Sequence, residues 1–213
     1  MIHHSNRGRE MSLASYNALI GAILCYGFFV NYLMVKFCTG YFIAMSPFIL
    51  VIGYLIIAII GITMSARSNN AFLSFIGYNL VVVPSGAILC VFLKGVAPEI
   101  VKSTLLITAL VTASMMIASM IFPKIFLSLG GTLGLSLGIV LIIEFVCIML
   151  GIVTPRFWDI AVALLFCLYI GYDWAKAQDE YRNADNAVDA CVGLYLDIIN
   201  LFTRVNSSSR KRK

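Results

Sequence analysis

Leu50–Ile62 reads LVIGYLIIAIIGI, thirteen residues without one charged side chain. With its flanks the apolar run extends over residues 41–64, longer than the ~20 residues that a helix needs to cross a bilayer. The whole chain shares this character. Of its 213 residues 61% are hydrophobic and 12% charged, and the mean hydropathy is +0.97. A soluble domain is nearer 45–50% apolar and carries about 25% charge, so this chain has too little polar surface to wet a globule of its size. A soluble enzyme, a disordered tail and a soluble DNA-binding domain are thereby excluded. The sequence is that of an all-α integral membrane protein.

Seven apolar runs are candidate transmembrane helices: about residues 14–35, 41–64, 71–93, 101–122, 125–153, 157–175 and 187–205. Most connections between them are a few residues long, which predicts antiparallel neighbours in one transmembrane domain over 1–213. The first run lacks the cleavage pattern of a signal peptide and is expected to be retained. Gly130, Gly131, Gly134 and Gly138 in the fifth invite close helix packing. The seventh carries Asp189, Asp197, Asn200 and Arg204, too polar to face lipid on all sides. It is expected in the middle of the bundle or lining a cavity, with the other helices around it.

The net charge is +5, but the basic residues stand mostly at helix ends, where they set orientation and meet lipid headgroups. The expected surroundings are therefore the bilayer, with no nucleic-acid partner. With the N-terminus inside, the inner loops hold Arg7, Arg9, Arg67, Lys124, Lys176 and Arg182, and the outer ones Lys36, Lys94, Lys102 and Arg156. Seven full spans would put Arg204, Arg210, Lys211, Arg212 and Lys213 outside. A re-entrant last helix, or one run that fails to span, would put them inside. The six cysteines form no CxxC or Cys/His cluster and read as small packing residues. His3 and His4 have no third histidine with which to make a metal site. No dedicated metal site and no resident cofactor is expected.

Most of the ten acidic residues have ordinary explanations. Glu10, Glu99, Asp179, Glu180 and Asp185 read as solvated, and Asp159 and Asp189 stand near helix starts, where a carboxylate complements the helix dipole. Glu144, inside LIIEFV, needs a partner or water and is a candidate ion-path residue. Asp173 ends the run LLFCLYIGYD, and Asp197 lies in the heart of LYLDIINLF. Their midpoint is residue 185, inside the polar stretch KAQDEYRNADN. If that stretch reverses the chain, the two residues sit at matching depth on adjacent helices. Two facing carboxyls in a low-dielectric site cannot both ionise cheaply, so they share a proton and can act as a proton-operated switch. The alternative has them pointing apart, each bonded to a backbone group or to Asn200. Arg67 follows the second run on the same side as the 176–186 stretch. It is the candidate cation to reach Asp173 and latch that helix, or else an ordinary loop arginine.

These residues also carry a resemblance. Tyr169–Asp173 (YIGYD), followed past a polar linker by Leu194–Phe202 (LYLDIINLF), resembles the signature end of the Bax inhibitor-1 (TMBIM) family of small membrane proteins. The likeness is specific over the last ~50 residues; before them it rests on length, helix count and the polar turn at Arg67. It implies a seven-helix fold with the last helix central and a pH-sensitive calcium leak. Asp173 and Asp197 would be the pH-sensing pair, and Arg67 the latch. Members often carry an acidic residue in the second helix, and residues 41–64 have none.

Four classes of function are thus in play. The first is a passive Ca²⁺ leak gated by protonation, with transient oxygen ligands from Asp173, Asp197 and Asn200. The second is a membrane partner that regulates a protease or a stress or cell-death pathway by contact. The third is a proton-coupled transporter, and the last is an enzyme, for which no nucleophile–base pair or metal cluster is present. A bacterial inner membrane is the expected location, with the ER or another endomembrane as the alternative.

Overall fold

The computed structural model describes residues 10–211, apart from the side chain of Ile148; His3, His4, Arg7, Arg9, Arg212 and Lys213 lie outside the described residues. Those described form nine helices and no strand: α1 (Leu13–Phe37), α2 (Thr39–Ile43), α3 (Pro47–Arg67), α4 (Ala71–Phe92), α5 (Pro98–Ile121), α6 (Pro123–Ser128), α7 (Gly130–Met149), α8 (Arg156–Asp179) and α9 (Ala184–Arg210). Six of them, α1, α3, α4, α5, α7 and α8, are long and apolar enough to cross a membrane. Apolar side chains dominate the exposed surface, with Phe48 74% and Leu135 74% exposed. Such a surface suits lipid and would aggregate in water. The protein is a multi-pass, all-helical membrane protein.

Local chemistry sets the helix ends, which depart from the limits of the apolar runs. Pro47 stands at the first position of α3, so the second run is split into the short α2 and the long α3. Pro123 opens α6 just ahead of the fifth run, which breaks at Leu129 into α6 and α7. Gly151, at φ +66°, turns the chain beyond α7 and stops it short of residue 153. Ser12 and Asn70 cap α1 and α4 by accepting from the Ser15 and Phe72 amides. Asn183 does the same for α9 through the Asn186 amide at 2.7 Å, so this helix begins before residue 187. Past residue 175 hydropathy falls but Lys, Ala and Gln still favour helix, and α8 runs on to Asp179. The polar stretch between α8 and α9 thus shrinks to residues 180–183, and Asp173 lies within α8 rather than at its end.

The chain divides into two compact units. Among the described residues, one comprises 10–95 with 180–195, and the other comprises 96–179 with 196–211. In the first unit α3 and α4 cross through glycines. A Cβ on Gly61 would stand 2.5 Å from the Gly77 carbonyl oxygen, and one on Gly77 would stand 2.6 Å from that of Gly61. Small residues allow this backbone approach, through which apolar helices associate in lipid. Tyr16, Tyr78, Val81 and Val82 fill the core together with Cys191, Leu194 and Tyr195 from the first half of α9. In the second unit Val162, Phe166, Ile170 and Trp174 of α8 are buried, as are Ile198, Leu201 and Phe202 of α9. On α5 the buried positions are Thr104, Thr108, Thr112 and Ser119, a stripe of small polar side chains.

Candidate functional site

Two contacts set the register of α8 against the second half of α9. The Asp173 side chain is within hydrogen-bond reach of Asp197, and fourteen residues further along both segments Lys211 Nζ, just past the end of α9, lies 2.7 Å from Asp159 Oδ2. Both pairs share the midpoint 185, so the helices run antiparallel in a single alignment. Fourteen residues is close to four turns, which keeps the two contacts on one face, ~21 Å apart.

At the first contact Asp197 is buried, 6% exposed, and its Oδ2 has no partner among the described residues. Asp173 is half-buried. Tyr169, one turn earlier on α8, is close to both carboxyls. Ionised carboxylates only accept hydrogen bonds, so a bond between two carboxyls needs a proton on one of them. Asn200 donates Nδ2 to the Leu196 carbonyl of its own helix at 2.8 Å. The same unit holds further buried polar atoms without partners among the described residues: Thr108 Oγ1, Thr112 Oγ1, Trp174 Nε1 and both side-chain heteroatoms of Asn206. Buried polar atoms are seldom left so.

At the second contact four charges meet. Arg204 Nη2 lies 2.6 Å from the Glu144 carboxylate, and its Nη1 lies 3.5 Å from Asp159 Oδ1. Trp158 donates Nε1 to Glu144 Oε1 at 3.1 Å. Lys211 adds the Thr154 carbonyl, at 2.6 Å, to its bond with Asp159. Arg156 Nε donates to Ser208 Oγ at 3.3 Å. Asp159 is 3% exposed and is matched here by two cations, the condition on which a buried carboxylate is tolerated. Glu144 therefore belongs to an ion-pair network, and Asp159 does more than complement the start of α8.

The first unit holds its own carboxylates with serines. Ser65 of α3 donates to Asp189, and Ser74 of α4 donates to Asp185 at 2.7 Å. Arg67 ends α3. It is exposed, it borders a shallow groove with Ile60, Met64 and Leu73, and no hydrogen bond or ion pair joins it to another described residue. Among the described residues no three His, Cys, Asp or Glu side chains are grouped to hold a metal ion.

Reading the sequence leaves out the Glu144–Arg204–Asp159–Lys211 network, although one signal for it is present. The midpoint that relates Asp173 to Asp197 also relates Asp159 to Lys211. Nothing comparable joins Glu144 to Arg204, whose helices are not consecutive. A lone acidic residue inside the fifth run and a basic one inside the seventh are the only hint there.

The family described as Inhibitor of apoptosis-promoting Bax1 matches over residues 9–208. No curated protein and no solved structure matches the chain.

Proposed function

The chain belongs to the Bax inhibitor-1 family, and from that premise we propose that it is a pH-sensitive calcium leak, gated by Asp173 and Asp197 sharing one proton. The observation that carries this reading is the approach of the two carboxyls within the second unit, with Asp197 buried. Loss of the shared proton leaves two negative charges facing each other at low dielectric, which drives them apart or draws in a cation. Gain of a proton restores the neutral, bonded pair. The pair thereby couples proton concentration to the packing of α8 against α9.

Calcium is a hard cation that takes oxygen ligands. Asp173, Asp197 and Asn200 offer such oxygens in passing, and the small polar stripe of α5 continues the polar lining. Glu144 has a different part, since its charge is engaged by Arg204. The remaining architecture follows the family: α9 is the central helix and counts, with the six apolar ones, as the seventh of the bundle. Arg67 is its latch candidate. Protons and calcium are the species that the protein handles. The host membrane in this reading is a bacterial inner membrane, with an endomembrane as the alternative.

The description of the matching family as an inhibitor favours a second reading, a membrane-embedded regulator that acts by protein contact and transports nothing. Purified protein in vesicles loaded with a calcium dye separates the two. The leak passes Ca²⁺ with a pH dependence that Asp173→Asn and Asp197→Asn each remove. Vesicles that stay tight to calcium at every pH, or a pH dependence that survives both substitutions, would overturn it.

A further inference from the structure

The pair accounts for one end of the α8–α9 face in the second unit, and the four-charge network stands at the other. Its members come from three helices: Glu144 from α7, Asp159 from α8, and Arg204 and Lys211 from the end of α9 and just beyond it. Charge is balanced within it, two carboxylates against two cations. Both cations are carried by the same segment, so one movement of that segment removes both at once. Between the two contacts Val162, Phe166 and Ile170 are buried on α8 and Ile198 and Leu201 on α9, with Asn206 and Ser208 buried nearer the second contact.

We propose that Arg204 and Lys211 form an electrostatic clasp that closes the C-terminal end of α9 onto α7 and α8, a closure distinct from the aspartate pair. The inference rests on reading the second unit as the ion path. A carboxylate at membrane depth attracts any cation that can reach it. Here Glu144 and Asp159 are already satisfied by cations tethered to the chain, so a mobile cation meets no net charge and must displace a guanidinium bonded at 2.6 Å. When the end of α9 lifts, the same two carboxylates are exposed as a pair of oxygen-bearing anions, the surface that a divalent cation takes. Closed, the clasp excludes cations; open, it recruits them. The two closures are ~21 Å apart along α8, which is most of the ~30 Å of a bilayer's hydrocarbon core.

Arg204→Gln and Lys211→Gln in the full-length protein test the clasp, read by amide hydrogen exchange in vesicles and by calcium entry into the same vesicles. Lys211 is 29% exposed, so its substitution leaves a folded protein even if Arg204→Gln does not. Exchange over residues 203–211 is expected to accelerate about tenfold, as for loss of one charge-assisted hydrogen bond. Calcium entry is expected to rise in both variants, and to rise equally in an Asp197→Asn background, because the closures are separate. Unchanged exchange in both variants would overturn the clasp. So would faster exchange without faster entry in vesicles where the unsubstituted protein leaks. If no protein passes calcium yet exchange accelerates, the leak reading fails while the clasp stands as the closure of α9.

Discussion

Gly77→Ala perturbs the closest backbone approach described in the fold, and its cost can be worked from the geometry. The added Cβ would stand 2.6 Å from the Gly61 carbonyl oxygen and 2.9 Å from the Ser65 amide nitrogen. Ordinary contact begins at 3.4 Å, so α3 and α4 must part by about 0.8 Å. Both obstacles are backbone, which no rotamer change relieves. Overpacking of this kind costs ~1–3 kcal/mol, and alanine's better helix propensity returns at most ~1 kcal/mol. A net loss of up to ~2 kcal/mol lowers Tm by up to about 8 °C for a chain of this size. Gly53 is the control, since a Cβ there meets nothing within 4 Å; Gly53→Ala should leave Tm level or raise it slightly. Thermal unfolding in detergent, followed by tryptophan fluorescence, reads both. Equal shifts for the two variants, or a more stable Gly77→Ala, would refute the reasoning that the glycines set the α3–α4 spacing.

Two further outcomes are expected. Asn31 donates its side-chain amide to the Tyr195 hydroxyl, and both residues are buried; Tyr195→Phe strands that amide and should cost ~1–3 kcal/mol. Adding Asn31→Leu should recover much of the loss in urea unfolding, whereas simple addition of the two single losses would show that they do not act on each other. Arg204→Met leaves Glu144 with only the Trp158 N–H and should cost toward the lower end of the ~3–5 kcal/mol typical of a broken buried pair, since both side chains keep about a fifth of their exposure. Glu144→Leu together with Arg204→Met should be more stable than Arg204→Met alone in the same unfolding measurement; a double variant no better than the single one would contradict the pairing.

Much of this fold was readable from nearest-neighbour chemistry. Apolar runs such as Leu50–Ile62 mark the membrane helices because burying ~20 residues in lipid imposes a composition visible without any partner. Their ends were less readable. Proline at 47 starts a new helix inside a run that hydropathy joins, the fifth run breaks at Leu129, and Gly151 and Asn183 shift ends by a few residues. The antiparallel register of α8 and α9 follows from a short reversal near residue 185, and carried outward it would have joined Asp159 to Lys211. Contacts between helices distant in sequence were not readable: Glu144 with Arg204, Ser65 with Asp189, Asn31 with Tyr195. Each depends on helix rotation and packing, for which one chain's periodicity supplies a face but no partner. Ser65 and Ser74 looked like ordinary small residues because their hydroxyls matter only through carboxylates more than a hundred positions away.

The proposed gate requires that Asp173 and Asp197 hold one proton between them. Infrared difference spectroscopy of the protein in D₂O vesicles measures this through the C=O stretch of a protonated carboxyl, recorded from pH 5 to pH 9. One such band is expected at neutral pH, fading toward high pH and absent from both Asp173→Asn and Asp197→Asn. A spectrum without that band at neutral pH, or a band that persists unchanged in both variants, would contradict it.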